Sequence, residues 1–138
     1  MTTTICLLAW TCAMSSPVRG AESATALWME TAQLAAQLSD SNVRIVDARP
    51  PEEYRQGHIP GAVSLPAPAT DSLDANGKGY PIAPERGEEL FRIAGINRGS
   101  HVIVYDSQSH RFAARVFYVL EFFGHPHEHV LDEGADDG

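Results

Sequence analysis

The sequence predicts an α/β domain in which a parallel β-sheet is covered by helices on both faces. Short runs rich in β-branched residues, at 43–46 (VRIV), 62–65 (AVSL) and 101–105 (HVIVY), alternate with segments of helical periodicity. This alternation predicts a parallel sheet, because each crossover helix returns the chain across one face of the sheet. The length of 138 residues is that of one domain.

The elements of the first half follow from local signals. They are an edge strand at 27–28, a helix over 32–38, a strand at 43–46 that ends in Asp47, a helical turn over 52–55 and a strand at 62–65. Thr31 is placed to cap the first helix, and Pro50-Pro51 favours the start of the helical turn.

The second half begins with residues 66–83, whose prolines, glycines, aspartates and asparagine predict a long surface loop. A helix over 85–93 ends before Gly95, and the strand 101–105, a helix at about 109–123 and a last strand at 129–131 follow. The apolar stripe of the last helix is expected to pack on the sheet and needs no cofactor to explain it. It consists of Phe112, Val116, Val119, Leu120 and Phe123.

Charge and composition exclude several classes of function. The net charge is −8 and no basic run occurs, so neither nucleic acid nor an anionic membrane surface is expected as a partner. The histidines of 125–129 (HPHEH) are interpreted as a surface turn, because neither a cysteine nor a distant histidine completes a ligand set. We expect no metal and no cofactor.

The first residues resemble a secretory signal peptide. An apolar run at 5–14 (ICLLAWTCAM), too short to span a bilayer, is followed by small and polar residues. The expected division is a signal peptide at 1–23 and a domain at 24–138, in a periplasmic or secreted protein without membrane contact after processing. A misassigned start or a disordered tail, in a cytoplasmic protein, is the alternative. Cys6 and Cys12 both lie in this segment, so a processed chain has no thiol.

Three segments together resemble the rhodanese (sulfurtransferase) family. They are VRIVDARPPEEYRQGHIPGAVSLP at 43–66, HVIVYD at 101–106 with the loop and helix that follow, and FFGHPHEHVLDEG at 122–134. The resemblance is strongest to the first, inactive domain of tandem thiosulfate and 3-mercaptopyruvate sulfurtransferases. It implies the rhodanese-like fold, here expected to lack its C-terminal helix, and therefore a domain truncated at its carboxyl end. The motif residues are Asp47, Arg49, Gly57, His58 and Gly61.

The resemblance also implies a chemistry and its absence. In active rhodanese domains the strand corresponding to 101–105 ends in a cysteine, which takes a sulfane sulfur and passes it to a thiophilic acceptor. Here Asp106 occupies that position, and a carboxylate cannot carry sulfane sulfur. The candidate anion loop consists of Asp106, Ser107, Gln108, Ser109, His110 and Arg111. We expect Asp106 to accept the N–H groups of this loop and helix, which makes the domain non-catalytic.

Other residues receive structural interpretations. Asp47 and Arg49 are expected to form an ion pair, and His58 to hydrogen-bond its turn to the sheet. Arg111 either stabilises an anion at the rim of the loop or pairs with Asp106, and Arg115 lies farther from the loop.

Two functions remain open for the chain. One is the scaffold half of a two-domain sulfurtransferase, whose partner is a second rhodanese domain. The other is a stand-alone binding or regulatory module that docks a partner protein at the loop face. A dual-specificity phosphatase would need a cysteine, and an aspartyl-phosphate enzyme of the haloacid-dehalogenase kind would need an aspartate where Gln108 stands.

Overall fold

The computed structural model describes residues 27–107 and 109–132. The helices in these ranges are α1 (Thr31–Gln37), α2 (Pro51–Gln56), α3 (Pro84–Ile93), α4 (Arg111–Phe122) and a 3-10 turn at Ala67–Thr70. The strands are β1 (Trp28–Glu30), β2 (Val43–Asp47), β3 (Val63–Ser64), β4 (Asp71–Leu73), β5 (Gly79–Pro81), β6 (His101–Tyr105) and β7 (Glu128–Asp132).

Five of these strands form one parallel sheet in the order β1-β7-β6-β2-β3. The register places Asp47, at the end of β2, directly opposite Tyr105, at the end of β6. The carboxyl ends of the central strands therefore meet at one edge of the sheet, where α/β proteins hold their ligands. The parallel sheet confirms the predicted fold class.

The core lies on both faces of this sheet, because successive side chains of a strand point to opposite sides. In β2 and β6, even-numbered residues such as Val46 and Val104 pack against α3 and α4, whereas odd-numbered residues such as Ile45 and Ile103 pack on the side of α1. Val116, Val119 and Leu120 of α4 are fully buried. The prediction that the apolar stripe of this helix packs on the sheet is confirmed.

The segment 66–83 is more ordered than a surface loop. After the 3-10 turn it forms the antiparallel hairpin β4–β5, with Thr70 and Ile82 buried at its base. At the tip, Asp74 Oδ1 accepts the N–H groups of Asn76 and Lys78, at 2.8 and 2.9 Å, and so stabilises the turn. The loop prediction was wrong here because turn-forming residues also occur in tight hairpins.

Two helix starts also differ from expectation. Thr31 does not cap α1: its Oγ1 donates to the carbonyl of Asp132, and Gln33 Oε1 instead accepts the N–H of Glu30. Helix α4 begins at Arg111, two residues later than predicted, because His110 has a left-handed backbone with φ of 49°.

The expected signal peptide at 1–23 and the chain beyond Asp132 lie outside the described residues. Within the described ranges, none of the helices has the length and apolarity that a membrane crossing requires.

Candidate functional site at the carboxyl edge of the sheet

The candidate site is built where β6 passes into α4. Asp106 follows the last strand residue directly and is 3% exposed. The chain then turns through Ser107 and Ser109, which are exposed, and through the left-handed His110 into the first turn of α4. Gln108 lies outside the described residues. This corner directs the free N–H groups of a helix start towards the end of a central strand, an arrangement suited to holding an anion.

Asp106 itself provides the anion. Its Oδ2 accepts the N–H groups of Phe112 and Ala113, at 2.7 and 3.0 Å. These belong to the second and third residues of α4, the positions that an N-cap side chain normally serves, and His110 makes no such side-chain bond. Asp106 therefore caps α4 although it lies five residues before the first residue of the helix. Its other oxygen, Oδ1, is buried without a hydrogen-bond partner among the described residues.

The loop is also held from the side of β1. The His110 ring meets Trp28 edge-on, with ring centroids 5.1 Å apart, and the His110 N–H donates to the carbonyl of Ser107. Because a left-handed backbone is disfavoured for residues other than glycine, such contacts help to hold His110 in that conformation.

The two arginines of α4 do not reach Asp106. The Arg111 guanidinium lies over the Phe112 ring, 4.8 Å from its centroid, and makes no ion pair with Asp106 within 4.0 Å. Arg115 pairs with Asp71 and so joins α4 to the hairpin β4–β5. The expected alternative of an Arg111–Asp106 pair is therefore wrong, because α4 starts later and its first side chain points outward. Arg111 and Arg115 line a groove of about 460 Å³ beside the 3-10 turn.

A second buried carboxylate, Asp47, connects the neighbouring strands to the loops. Its Oδ2 lies 2.6 Å from Arg49 Nη2 and accepts the Tyr105 hydroxyl proton at 2.7 Å. Burial raises the pKa of the Asp47 carboxyl, but the hydrogen bonds from Arg49 and Tyr105 outweigh it and leave this pKa below its ordinary value. Burial, with the bond to Asp47, raises the pKa of Tyr105 to about 12. The expected ion pair of Asp47 and Arg49 is confirmed.

The partners of this pair were missed at the sequence level. Tyr105 holds Asp47 and also accepts the N–H of Ile59 at 3.1 Å. The available signal was a tyrosine at the end of an otherwise apolar strand. Only the register of β2 against β6 shows that it faces Asp47.

The remaining motif residues shape the loop between α2 and β3. The carbonyl oxygen of Gly57 accepts a hydrogen bond from Arg49 Nη2 at 2.8 Å. Gly61 has a φ of +82°, a left-handed backbone conformation that favours glycine. His58 Nδ1 lies 2.9 Å from the carbonyl oxygen of Tyr54, and the two rings stack at 3.8 Å. The histidine therefore ties its turn to α2, whereas a bond to the sheet was expected.

The histidines of 125–129 lie towards the amino ends of the strands, away from Asp106. His129 Nδ1 lies 2.9 Å from His101 Nε2, and His125 contacts Glu128 and the carbonyl of Asn97. In the described part of the chain, no group of three or more histidines, cysteines or carboxylates is arranged to hold a metal ion.

Fold and site together define a class: a parallel α/β domain with an anion-holding strand–loop–helix corner. A family model described as the rhodanese-like domain matches residues 30–137. The chain belongs to this family.

Named relatives agree with that assignment. The thiosulfate sulfurtransferase of Corynebacterium glutamicum is 34% identical over 104 residues, covering 75% of this chain and 34% of that protein. The 3-mercaptopyruvate sulfurtransferase of Escherichia coli K12 is 31% identical over 111 residues, covering 73% and 40%. The chain thus spans at most about two fifths of the length of these relatives.

A solved structure supports the fold. The crystal structure of SseA from Escherichia coli, described as having the rhodanese fold of 3-mercaptopyruvate sulfotransferases, superposes with a TM-score of 0.67 at 22% identity. The match covers 80% of this chain and 41% of that one.

Proposed function

We propose that the chain is a non-catalytic rhodanese-like domain of a thiosulfate or 3-mercaptopyruvate sulfurtransferase. The observation that carries the proposal is Asp106, whose carboxylate takes the helix N–H groups of Phe112 and Ala113. The sequence resemblance implies that Asp106 stands where active domains have the cysteine that forms a persulfide.

The chemistry at this position argues against sulfur transfer by the domain itself. A persulfide requires a sulfur nucleophile, and a carboxylate cannot form one. The helix N–H groups that would stabilise a thiolate or persulfide already bond to Oδ2 of Asp106. The negative charge of the buried carboxylate would also repel an approaching thiosulfate ion.

The domain's role would then be to support a catalytic partner. The relatives named as sulfurtransferases are more than twice as long as the matched region, which leaves room for a second domain. We place that partner, a second rhodanese domain, at the loop face. Asp106 fixes the start of α4 there, and the groove beside Arg111 and Arg115 provides a concave surface. In this arrangement the domain forms one wall of the substrate cleft of the whole protein.

Thiocyanate formation from thiosulfate and cyanide tests the absence of activity. The variant Cys6→Ser/Cys12→Ser removes both thiols of the sequence and leaves the described site untouched. We expect no thiocyanate above the uncatalysed rate from this variant or from the unmodified chain. Turnover by the variant would show that sulfur transfer here needs no cysteine, and would refute the proposal.

A gain-of-thiol variant tests the loop. With both cysteines replaced, Asp106→Cys places the only thiol beside the N–H groups of Phe112 and Ala113. We expect the reaction of this thiol with iodoacetamide to have its pH midpoint lower than that of a cysteine placed at exposed Glu121, because a helix start lowers a thiol pKa. Equal pH midpoints would mean that the corner does not stabilise an anion.

The second candidate is a stand-alone binding module of the same fold. It is favoured by the same capped loop, which presents a stable surface without chemistry. The intact mass of the native protein from its source separates the two candidates. A mass near twice 15.0 kDa, with a reactive downstream cysteine, supports the two-domain enzyme. A mass at or slightly below 15.0 kDa supports the module.

We also propose a periplasmic or secreted location, from the apolar run at 5–14 and the small residues after it. Sequencing the amino terminus of the native protein tests this. A start near residue 21 or 24 supports export, whereas retention of residues 2–10 supports a cytoplasmic protein.

A further inference from the structure

A second concave site lies near the amino ends of the strands, on the side of α3 and α4. An open pocket of about 270 Å³ is bordered by the last turns of α3 and α4 and by the turn at 96–98 that leads into β6. Its apolar lining consists of Phe91, Ile96, Leu120 and Phe123. Leu120, which lines it, lies seven residues along α4 from Ala113, whose amide Asp106 binds, or about 10 Å at a rise of about 1.5 Å per residue. The pocket is therefore distinct from the strand–loop–helix corner.

The walls of the pocket are held in place by packing. A Cβ atom at Gly87 would lie 2.8 Å from Phe123 Cζ, so the glycine lets this ring pack directly on α3. Phe123 also meets Phe91 edge-on, with centroids 5.7 Å apart. On the far side, His125 Nε2 lies 3.1 Å from the carbonyl oxygen of Asn97. The cavity is thus formed before any ligand binds, which reduces the entropic cost of binding.

The rim of the pocket carries uncommitted positive charge. Arg92 and Arg98 line it, both are exposed, and neither forms an ion pair within 4.0 Å in the described ranges. Glu88 also lines the pocket, one helical turn before Arg92, without pairing to it. Two unpaired guanidinium groups at one pocket stand out in a chain of net charge −8.

The free carbonyl groups at the carboxyl ends of α3 and α4 could pair with the two arginines, but two of these carbonyls already accept backbone N–H groups. The Phe91 carbonyl accepts the N–H of Ile96 at 2.8 Å, and the Leu120 carbonyl accepts the N–H of His125 at 3.0 Å. Because these carbonyls already have backbone partners, the charged side chains of Arg92, Arg98 and Glu88 dominate the rim, with two positive charges against one negative.

The geometry points to a binding site for a small organic carboxylate with an apolar body about the size of one aromatic ring. The body would lie against the apolar lining formed by Phe91, Ile96 and Phe123, and the carboxylate would bond to Arg92 and Arg98. Guanidinium groups match a carboxylate because their N–H donors meet both of its oxygens. The volume is at the small end of ligand pockets, which suits one ring with a short chain.

Three probes separate the contribution of the apolar ring to binding from that of the carboxylate charge. The probe 3-phenylpropionate has the ring and the charge, 3-phenylpropionamide has the ring alone, and acetate has the charge alone. Each is titrated into the ¹⁵N-labelled 138-residue chain, and the amide shifts of Ile96 and Gly124 are followed. We expect 3-phenylpropionate to bind at least tenfold more tightly than either of the other probes.

Charge-removing variants provide the second arm. Arg92→Gln and Arg98→Gln should each weaken 3-phenylpropionate binding at least threefold. Arg86→Gln is the matched control, because Arg86 lies on the same helix but pairs with Glu89 and does not line the pocket. Equal affinity for the acid and the amide, shifts centred away from the pocket, an equal loss in the control or no saturation at 20 mM would each overturn the proposal. The titration does not depend on catalytic activity, so it is independent of the function proposed for Asp106.

Discussion

Replacing Asp106 by alanine tests the capping role that underlies the proposed function. The change removes the acceptor of two N–H groups, those of Phe112 and Ala113, of which the second is buried. Loss of a helix cap costs about 0.5–2 kcal/mol, and an unpaired buried amide costs about 1–3 kcal/mol. These two costs overlap, because the lost cap and the unpaired amide are the same hydrogen bonds. The alanine also removes Oδ1, which is buried without a hydrogen-bond partner among the described residues, and this recovers part of the lost stability. We therefore expect the free energy of unfolding to fall by about 2 kcal/mol.

Asparagine at the same position separates hydrogen bonding from charge. Its carbonyl oxygen can accept both N–H groups, so Asp106→Asn loses only the attraction between the charge and the helix dipole, about 0.3–1 kcal/mol. Glu121→Ala is the control within α4, because Glu121 is exposed and far from the cap. Its effect should stay within about 0.5 kcal/mol.

Urea unfolding followed by circular dichroism measures all three variants. With a slope of about 2 kcal/mol per molar urea, the alanine variant should unfold at a midpoint about 1 M lower than the unmodified chain. Hydrogen exchange should show loss of protection at the Phe112 and Ala113 amides in the alanine variant and its retention in the asparagine variant. An alanine variant as stable as the unmodified chain, or equal losses in both variants, would refute the capping argument.

Three further predictions concern contacts away from Asp106. Asp47→Ala should lower the free energy of unfolding by about 3–5 kcal/mol, because it removes the buried acceptor that Arg49 and Tyr105 share and leaves Arg49 only the Gly57 carbonyl and, at 4.0 Å, Glu53; a loss below 1 kcal/mol in urea unfolding would contradict this. Burial, with nearby positive charge, lowers the pKa values of His101 and His129 from 6.5, so the unfolded chain binds more protons below pH 6.5. Stability should therefore fall as the pH drops below 6.5, and His129→Gln should flatten this dependence between pH 5 and 7; an unchanged slope would argue against the histidine pair as its source. Arg115→Met should lower the free energy of unfolding by at most about 1 kcal/mol, because its pair with Asp71 is partly exposed. It should nevertheless speed hydrogen exchange in β4–β5, and unchanged exchange would show that the pair does not hold the hairpin.

Much of the fold could be predicted from the sequence because its signals are local. The strands at 43–47 and 101–105 are apolar and β-branched, and the stripe of α4 has a helical period. The hairpin β4–β5 was missed because the same turn residues occur in loops and hairpins. Its first residue, Asp71, pairs with Arg115, 44 residues away, a contact that local sequence signals do not indicate.

The candidate site was predictable in its residues and less so in its contacts. Asp106 stands at the end of an apolar strand and before a helix, so a capping role followed from position alone. Arg111 was expected as its possible partner because the two are close in sequence. The left-handed backbone of His110 delays the helix start, and Arg111 lies over Phe112 instead.

The sequence by itself determined the fold class, the family resemblance and the carboxylate at the end of the central strand. These depend on residue type, periodicity and spacing, which are properties of neighbours along the chain. Only the tertiary structure decided that Tyr105 holds Asp47, that Oδ2 of Asp106 bonds to the start of α4, and that Arg92 and Arg98 share a pocket with Phe123. Such contacts depend on strand register and helix packing, which bring together side chains whose separation in sequence contains no signal of their meeting.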